Sequence, residues 1–220
     1  ILSGDEQFCD IFNSGRDVHK EVASRVFSVP PEKVDAEMRR RAKIVNFGIL
    51  YGMGVNALKS QLGSTTAEAH QYLEDYFKTF KRLSEFLEET KGFARKHGYT
   101  ETLFGRRRQF PEMKSPLPYV RAQAERMAIN APIQGTQSDI IKRAMVDIDE
   151  MLTARGAKGN ARLLLQVHDE LVYEIKDSEM ETLAPEIKRL MEEVEVPNTH
   201  GVPVLVEMKK GPNWGEMQSI

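Results

Sequence analysis

Two apolar runs, Leu163-Leu164-Leu165-Gln166-Val167 and Leu171-Val172-Tyr173-Glu174-Ile175, are separated by only His168-Asp169-Glu170. Three polar residues can turn a chain back on itself, whereas a parallel crossover needs a dozen or more. Residues 162–175 are therefore predicted to form an antiparallel hairpin with its polar residues at the bend. Most of the remaining chain has helical spacing. Residues 35–51 carry helical periodicity without proline, and Pro30-Pro31 lies just ahead. Residues 67–77 and 82–96 read as two more helices, the second ending at Gly98. A short hairpin is expected over residues 99–110, with Gly105 near its turn. Residues 118–130 and 134–154 read as consecutive helices broken at Pro132. After the main hairpin, Ser178-x-x-Glu181 has the pattern of a capping box opening a helix. Residues 202–208 alternate with period two, as a half-buried strand should. Helices with an antiparallel hairpin make the fold class α+β.

The 220 residues are 40 % hydrophobic, enough for one large domain or two closely packed ones, so a folded chain is expected. The net charge is −2, so a nucleic-acid-binding surface would have to be local and offset elsewhere. Basic residues do concentrate at 39–43 and 95–108, and acidic ones at 169–195; solvated helix faces are the ordinary cause of such runs. The single Cys9 excludes an intramolecular disulfide and a cysteine-built zinc site, and suits a reducing cytoplasm. No stretch approaches the ~20 apolar residues of a membrane span, and no basic-then-apolar leader opens the chain. The start, Ile1-Leu2-Ser3-Gly4, lacks an initiator Met and reads as the interior of a longer protein.

The helix at 35–51 carries two stripes. Met38, Ala42, Val45 and Ile49 form an ordinary core-facing one. Arg39, Lys43, Phe47 and Tyr51, each four apart, form a second stripe roughly opposite, because four steps advance only ~40° around the axis. A solvent face should be polar throughout, but this one begins with two cations and ends with two aromatics. That order suits a nucleoside triphosphate, with cations on the phosphates and a flat ring against sugar and base. Gly48, Gly52 and Gly54 would permit close approach. The alternative is a helix buried on both sides, with Phe47 and Tyr51 as core.

Arg39-x-x-x-Lys43-x-x-x-Phe47-Gly48-x-x-Tyr51-Gly52 resembles motif B of the family A DNA polymerases, the nucleotide-gripping helix of the fingers. The resemblance implies that Arg39 and Lys43 bind the incoming deoxynucleoside triphosphate. Phe47 would pack near its sugar and disfavour nucleotides lacking a 3′-hydroxyl, and Tyr51 would lie near the nascent base pair or the templating base. It implies that His19, in Gly15-Arg16-Asp17-Val18-His19, contacts a terminal phosphate. A lone histidine is otherwise more often structural.

Phosphoryl transfer relies on geometry and charge neutralisation, commonly by two divalent ions held by carboxylates. A hairpin bend is a rigid place to present Asp169 to magnesium, which takes few protein carboxylates and keeps several waters. On composition alone Asp169 and Glu170 read first as polar turn residues. Val167-His168-Asp169-Glu170 resembles motif C of the same family, downstream of motif B as the family order requires. By that match Asp169 is a catalytic ligand of Mg²⁺, Glu170 an auxiliary catalytic carboxylate, and His168 a neighbour of the primer terminus. A histidine-rich phosphohydrolase is disfavoured, because His19, His70, His97 and His200 show no metal-ligand spacing.

Arg126-x-x-x-Asn130-x-x-x-Gln134 places a cation and two amides at helical spacing. Such groups suit the minor groove, whose acceptors are similar for every base pair; polar surface residues and a cap before the proline are the alternative. The block from Glu125 to Thr136 resembles the family's segment between motifs B and C, which implies that Arg126, Asn130 and Gln134 touch primer–template DNA. Arg121 would contact the primer backbone. Thr102-Leu103-x-Gly105-Arg106-Arg107 matches a further family block, and Asn213-Trp214 resembles the family's C-terminus.

The resemblance implies mostly helical fingers over residues 13–114 and an antiparallel-sheet palm over 115–220, with 1–12 also palm. Motif A, with the second metal-binding aspartate, and the thumb are expected upstream of Ile1. The chain alone is therefore expected to be inactive, while a complete parent would add deoxynucleotides to a primer 3′-hydroxyl. It would act as a monomer in the cytoplasm, or in the host cytoplasm for a viral parent. A catalytically dead DNA-binding module and a relative of single-subunit RNA polymerases are the competing readings.

Overall fold

The computed structural model describes residues 1–220, the side chain of Leu50 excepted. Its contacts divide the chain into two units: Ile1–Gly135 with Asn198–Val202, and Thr136–Pro197 with Pro203–Ile220.

In the first unit, acidic and hydroxyl side chains open the helices. Asp5, Asp17 and Asp35 accept from the backbone N–H of Phe8, Lys20 and Met38 and start α1 (Glu6–Asn13), α2 (Val18–Val26) and α3 (Ala36–Leu50). The short helix α4 (Val55–Leu62) starts after Gly54. Thr65 and Glu68 form a reciprocal capping box at the start of α5 (Thr66–Thr79). Each cap contributes on the order of 1 kcal/mol. α6 (Lys81–His97) ends at Gly98 in the left-handed conformation, as the sequence predicts. The helices close around one core that includes Ile11, Val22, Ala42, Val45, Ile49, Leu58, Tyr76 and Phe80. The helices α1, α2 and α4 carry no strong sequence signal beyond their caps, and sequence reasoning did not find them.

The hairpin expected near Gly105 is present, pairing β1 (Tyr99–Glu101) with β2 (Arg107–Gln109). Gly105 adopts φ +79° in the connection. α7 (Pro118–Ala154) follows, and here the structure corrects the sequence: the helix runs through Pro132 rather than breaking there. Proline removes one N–H and crowds the carbonyl four residues back. Pro132 is itself buried, and both flanks are anchored, by Ala124 and Ala128 before it and by Ile141, Ala144 and Ile148 after it. Packing thus outweighs one lost hydrogen bond.

In the second unit β3 (Ala161–Val167) pairs antiparallel with β4 (Glu170–Ile175). The register shifts between Leu163 and Leu165, so Leu164 is the extra residue of a bulge. The bulge absorbs one residue, pairs Val167 with Glu170, and leaves a two-residue bend of His168 and Asp169. Glu170 therefore begins a strand instead of sitting in the turn. His168 has φ +50° and Asp169 does not share it, the pattern of a turn with a left-handed first position. The hairpin packs with α8 (Met180–Glu192) around Ile148, Leu152, Leu183 and Ile187.

Two further expectations fail. Residues 177–179 form a single 3₁₀ turn, so α8 starts at Met180 with Glu179 at its cap and no capping box from Ser178. Residues 202–208 form no strand; only β5 (Lys209–Lys210) pairs, with β6 (Gln218–Ser219). The N–H of Val206 donates to the Glu192 carboxylate at 2.9 Å instead of to a ladder. Val204, Val206 and Met208 are still half-buried and Leu205 and Glu207 exposed, so the alternation reports one-sided packing without pairing.

α3 ends in a Schellman motif. The N–H of Gly52 donates to the Ile49 carbonyl at 3.0 Å, and the N–H of Met53 to that of Gly48 at 2.8 Å. Gly52 has φ +64°, and a Cβ there would lie 2.7 Å from Arg126 Cγ; Gly63 has φ +63° with nothing within 4 Å. Gly63→Ala should therefore cost only the left-handed penalty of about 1–2 kcal/mol. Gly52→Ala should cost about 2–4 kcal/mol, because overpacking adds to it. Urea unfolding of the two variants checks this; equal losses would show that the Gly52–Arg126 approach carries no constraint.

Candidate functional site

The exposed face of α3 brings together the sequence-predicted nucleotide-binding residues. Its inner stripe is buried, with Ala42, Val45 and Ile49 at 0, 1 and 5 % exposure. Phe47 and Tyr51 are 48 and 56 % exposed, so the alternative of a helix buried on both sides is excluded. An exposed pair of aromatics at successive turns of one helix is a surface that invites a flat ligand.

Four cations lie on the first turns of α3, and their partners differ. Glu37 binds Arg40 and Arg41 at 2.7 and 2.9 Å, and those guanidinium groups, Arg40 first, hold its carboxyl down at about 2. Arg39 pairs with Asp17, its Nε donating at 2.9 Å and an Nη lying 2.7 Å from the same oxygen. Lys43 is exposed and has no carboxylate partner among the described residues. Asp17 is thus double-purposed: one oxygen caps α2 through Lys20 and the other receives Arg39. The Arg39 hydrogen bond is the largest influence keeping the Asp17 carboxyl below its ordinary range.

The same α2 turn brings in His19. Its ring centroid lies 5.8 Å from that of Phe47. Its Nδ1 is 3.1 Å from Asn46 Nδ2, and Asn46 Oδ1 accepts from the buried Tyr76 hydroxyl at 2.9 Å. Burial is the main cause that lowers the His19 pKa; Arg39 and Lys43 act in the same direction and Asp17 opposes them. His19, Arg39, Lys43, Phe47 and Tyr51 therefore form one continuous surface. Sequence reasoning missed Asp17, Asn46 and Tyr76. An aspartate two residues before His19, in cap position, was the one available signal.

The Gly52 approach joins the aromatic end of this surface to Arg126 on α7. Because α7 is uninterrupted, Arg126, Asn130 and Gln134 advance ~40° per step and share one face. Arg126 and Gln134 are exposed and Asn130 is half-buried. Arg121 is half-buried, and its Nη1 donates to the Ser115 carbonyl at 2.7 Å, anchoring the approach to the helix. The arginines of the short hairpin are similarly occupied. Arg106 donates to the Gly135 carbonyl at 3.0 Å, and Arg107 pairs with Glu101 while lying 4.5 Å over the Tyr99 ring.

In the second unit, His168, Asp169 and Glu170 are exposed at the hairpin tip. Neither carboxylate has an ion-pair partner among the described residues. A non-glycine residue at positive φ costs on the order of 1–3 kcal/mol, and such strain concentrates at functional positions. Adjacent oxygen donors at the hairpin tip, without ion-pair partners among the described residues, fit a hard divalent cation that keeps most of its waters. No group of three or more His, Cys, Asp or Glu able to hold a metal occurs among the described residues, so a closed, all-protein metal site is not built here. Nor is any helix among them long and apolar enough to cross a membrane.

Comparison with known proteins gives the same direction. The family model for DNA polymerase family A matches residues 1–216. The chain is 44 % identical over 211 residues to DNA polymerase I of Rhizobium leguminosarum, covering 96 % of this chain and 21 % of that protein. It is 45 % identical over 213 residues to the thermostable DNA polymerase I of Thermus aquaticus, covering 97 % and 25 %. Among solved structures, it resembles the POL domain of Pol1 from M. smegmatis in complex with DNA primer-template and dNTP. That match has a TM-score of 0.84 and 42 % identity, over 92 % of this chain and 35 % of that one. The chain thus spans a quarter or less of the length of these curated relatives. With the match running over nearly its whole length, this chain belongs to DNA polymerase family A.

Proposed function

We infer that the chain carries the nucleotide-binding surface and one catalytic carboxylate turn of a template-directed DNA polymerase, which adds deoxynucleoside monophosphates to a primer 3′-hydroxyl and releases pyrophosphate. The observation that carries this reading is the outward-facing ridge Arg39–Lys43–Phe47–Tyr51 with His19 beside it. Residues 13–114 correspond to fingers, and 1–12 with 115–220 to palm. The protein acts as a cytoplasmic monomer on primer–template DNA.

Arg39 and Lys43 neutralise the triphosphate. Arg39 exchanges its Asp17 partner for phosphate oxygens, which present more charge and the geometry a guanidinium binds bidentately. Lys43 enters without displacing a carboxylate, and also supplies a proton to the leaving pyrophosphate. Phe47 packs on the sugar and Tyr51 on the nascent pair. Arg126, Asn130 and Gln134 read the shared minor-groove acceptors, with Arg121 at the primer backbone and His168 near the primer end. Asp169, assisted by Glu170, would hold Mg²⁺. Two such ions, when bound, draw charge from the reacting phosphate oxygens.

A chimera tests these roles: the matching quarter of the Thermus aquaticus relative is replaced by this chain, and primer extension is followed by rapid quench. Lys43→Ala should lower kcat/KM for the nucleotide roughly a hundredfold, the scale of losing one preorganised charge at a developing anion. Asp169→Asn should lower kcat about a thousandfold, since it removes metal-mediated stabilisation. A Lys43→Ala chimera within twofold of the parent would end the assignment of α3.

Phe47→Tyr should raise the incorporation of 2′,3′-dideoxynucleotides relative to deoxynucleotides by about tenfold or more, because a polar partner then stands in for the missing hydroxyl. Unchanged competition between the two nucleotide types would place the sugar away from Phe47.

A further inference from the structure

Tyr76 lies on α5 with its side chain almost wholly buried, at 1 % exposure. Burial pushes its phenol far above the ordinary value, so it stays protonated, and the acceptor the structure gives its O–H is Asn46 Oδ1. A buried hydroxyl proton left without an acceptor is costly, and this fixes which way the Asn46 amide faces. Its Oδ1 turns to Tyr76, and its Nδ2, a donor only, turns to His19 Nδ1 at 3.1 Å. A protonated Nδ1 would meet that donor head-on.

We propose that Asn46 and Tyr76 are positioning residues that fix His19 as the neutral tautomer with its proton on Nε2, so that the ring offers a directed N–H to a nucleotide phosphate. The inference rests on the nucleotide-site reading above and deepens it. Nε2 has no protein partner among the described residues and is the ring nitrogen left for a ligand. The charged groups acting on the ring are Asp17, at the cap of α2, and Arg39 and Lys43 from α3; Tyr76 of α5, which is neutral, reaches it through Asn46. Burial, Arg39 and Lys43 all disfavour a charged ring, and Asp17 alone favours it. Charge is thus delivered by Arg39 and Lys43, while His19 supplies direction. A hydrogen bond to phosphate needs the proton on the outward nitrogen, and the Asn46–Tyr76 relay puts it there.

The test uses the 220-residue chain with ¹⁵N-labelled histidine, His19 being assigned by loss of its signals in His19→Gln. Two-bond proton–nitrogen couplings at pH 7.5 should show His19 protonated on Nε2 alone. Asn46→Asp presents only acceptors and should move the neutral ring's proton from Nε2 to Nδ1. In titrations with a deoxynucleoside triphosphate, Asn46→Asp and His19→Ala should each weaken binding about tenfold, the scale of one hydrogen bond to a charged group. Their effects should not add. His19→Gln, which keeps an N–H near the Nε2 position, should stay within about threefold. A wild-type ring protonated on Nδ1, or an Asn46→Asp ring unchanged from wild type, overturns the proposal. So does a tautomer switch that leaves nucleotide affinity intact. Lys43→Ala separates the two levels: if it too leaves binding unchanged, the nucleotide site itself has failed rather than the relay.

Discussion

The burial of Ala42, Val45 and Ile49 against α2 is the constraint on which the candidate site depends. A helix anchored along one stripe has no freedom to hide the opposite one. Arg39, Lys43, Phe47 and Tyr51 are consequently held outward although two of them are aromatic. The same packing sets α2 alongside α3, which delivers Asp17 to Arg39 and His19 to Phe47 without any further device. Apolar burial is non-directional, but here it fixes a directional object, a ridge with cations at one end and rings at the other. The Schellman ending and Gly52 then set where that ridge stops, directly over Arg126.

The carboxylate turn illustrates a different kind of control. Without the bulge at Leu164, the two runs would pair with Val167, His168 and Asp169 all in the loop. With it, the loop shrinks to two residues and Asp169 sits beside a His168 forced to positive φ. A tight, strained turn has few alternative conformations, so the exposed carboxylates are presented with little conformational spread. The exposure of Leu163, Leu164 and Leu165 on β3 belongs to the same hairpin, which is paired on one edge only.

Much of this was legible in the sequence, for identifiable reasons. The four-residue spacing on α3 and the two apolar runs of the main hairpin are local signals, and both elements formed, with Glu170 in β4 rather than at the bend. Gly98 ended α6 as expected. The failures came where tertiary context overrode a local rule. Pro132 should break a helix, yet buried residues on both sides carry α7 through it. Residues 202–208 alternate because one side packs, while Glu192 takes the N–H that a neighbouring strand would have used. Ser178 has capping-box spacing but falls inside a 3₁₀ turn. Asn46 and Tyr76 were invisible for a deeper reason: they are 30 residues apart and meet only once α3 and α5 have packed.

The central claim is that the outward ridge of α3 receives the phosphates and ring of a deoxynucleoside triphosphate. Amide and side-chain chemical-shift mapping of the ¹⁵N,¹³C-labelled chain, titrated with dATP, addresses it most directly. The account predicts saturable shifts concentrated at His19, Arg39, Lys43, Phe47 and Tyr51, with Asp17 responding as Arg39 leaves it. Shifts confined to other surfaces, or none at millimolar nucleotide, would contradict it.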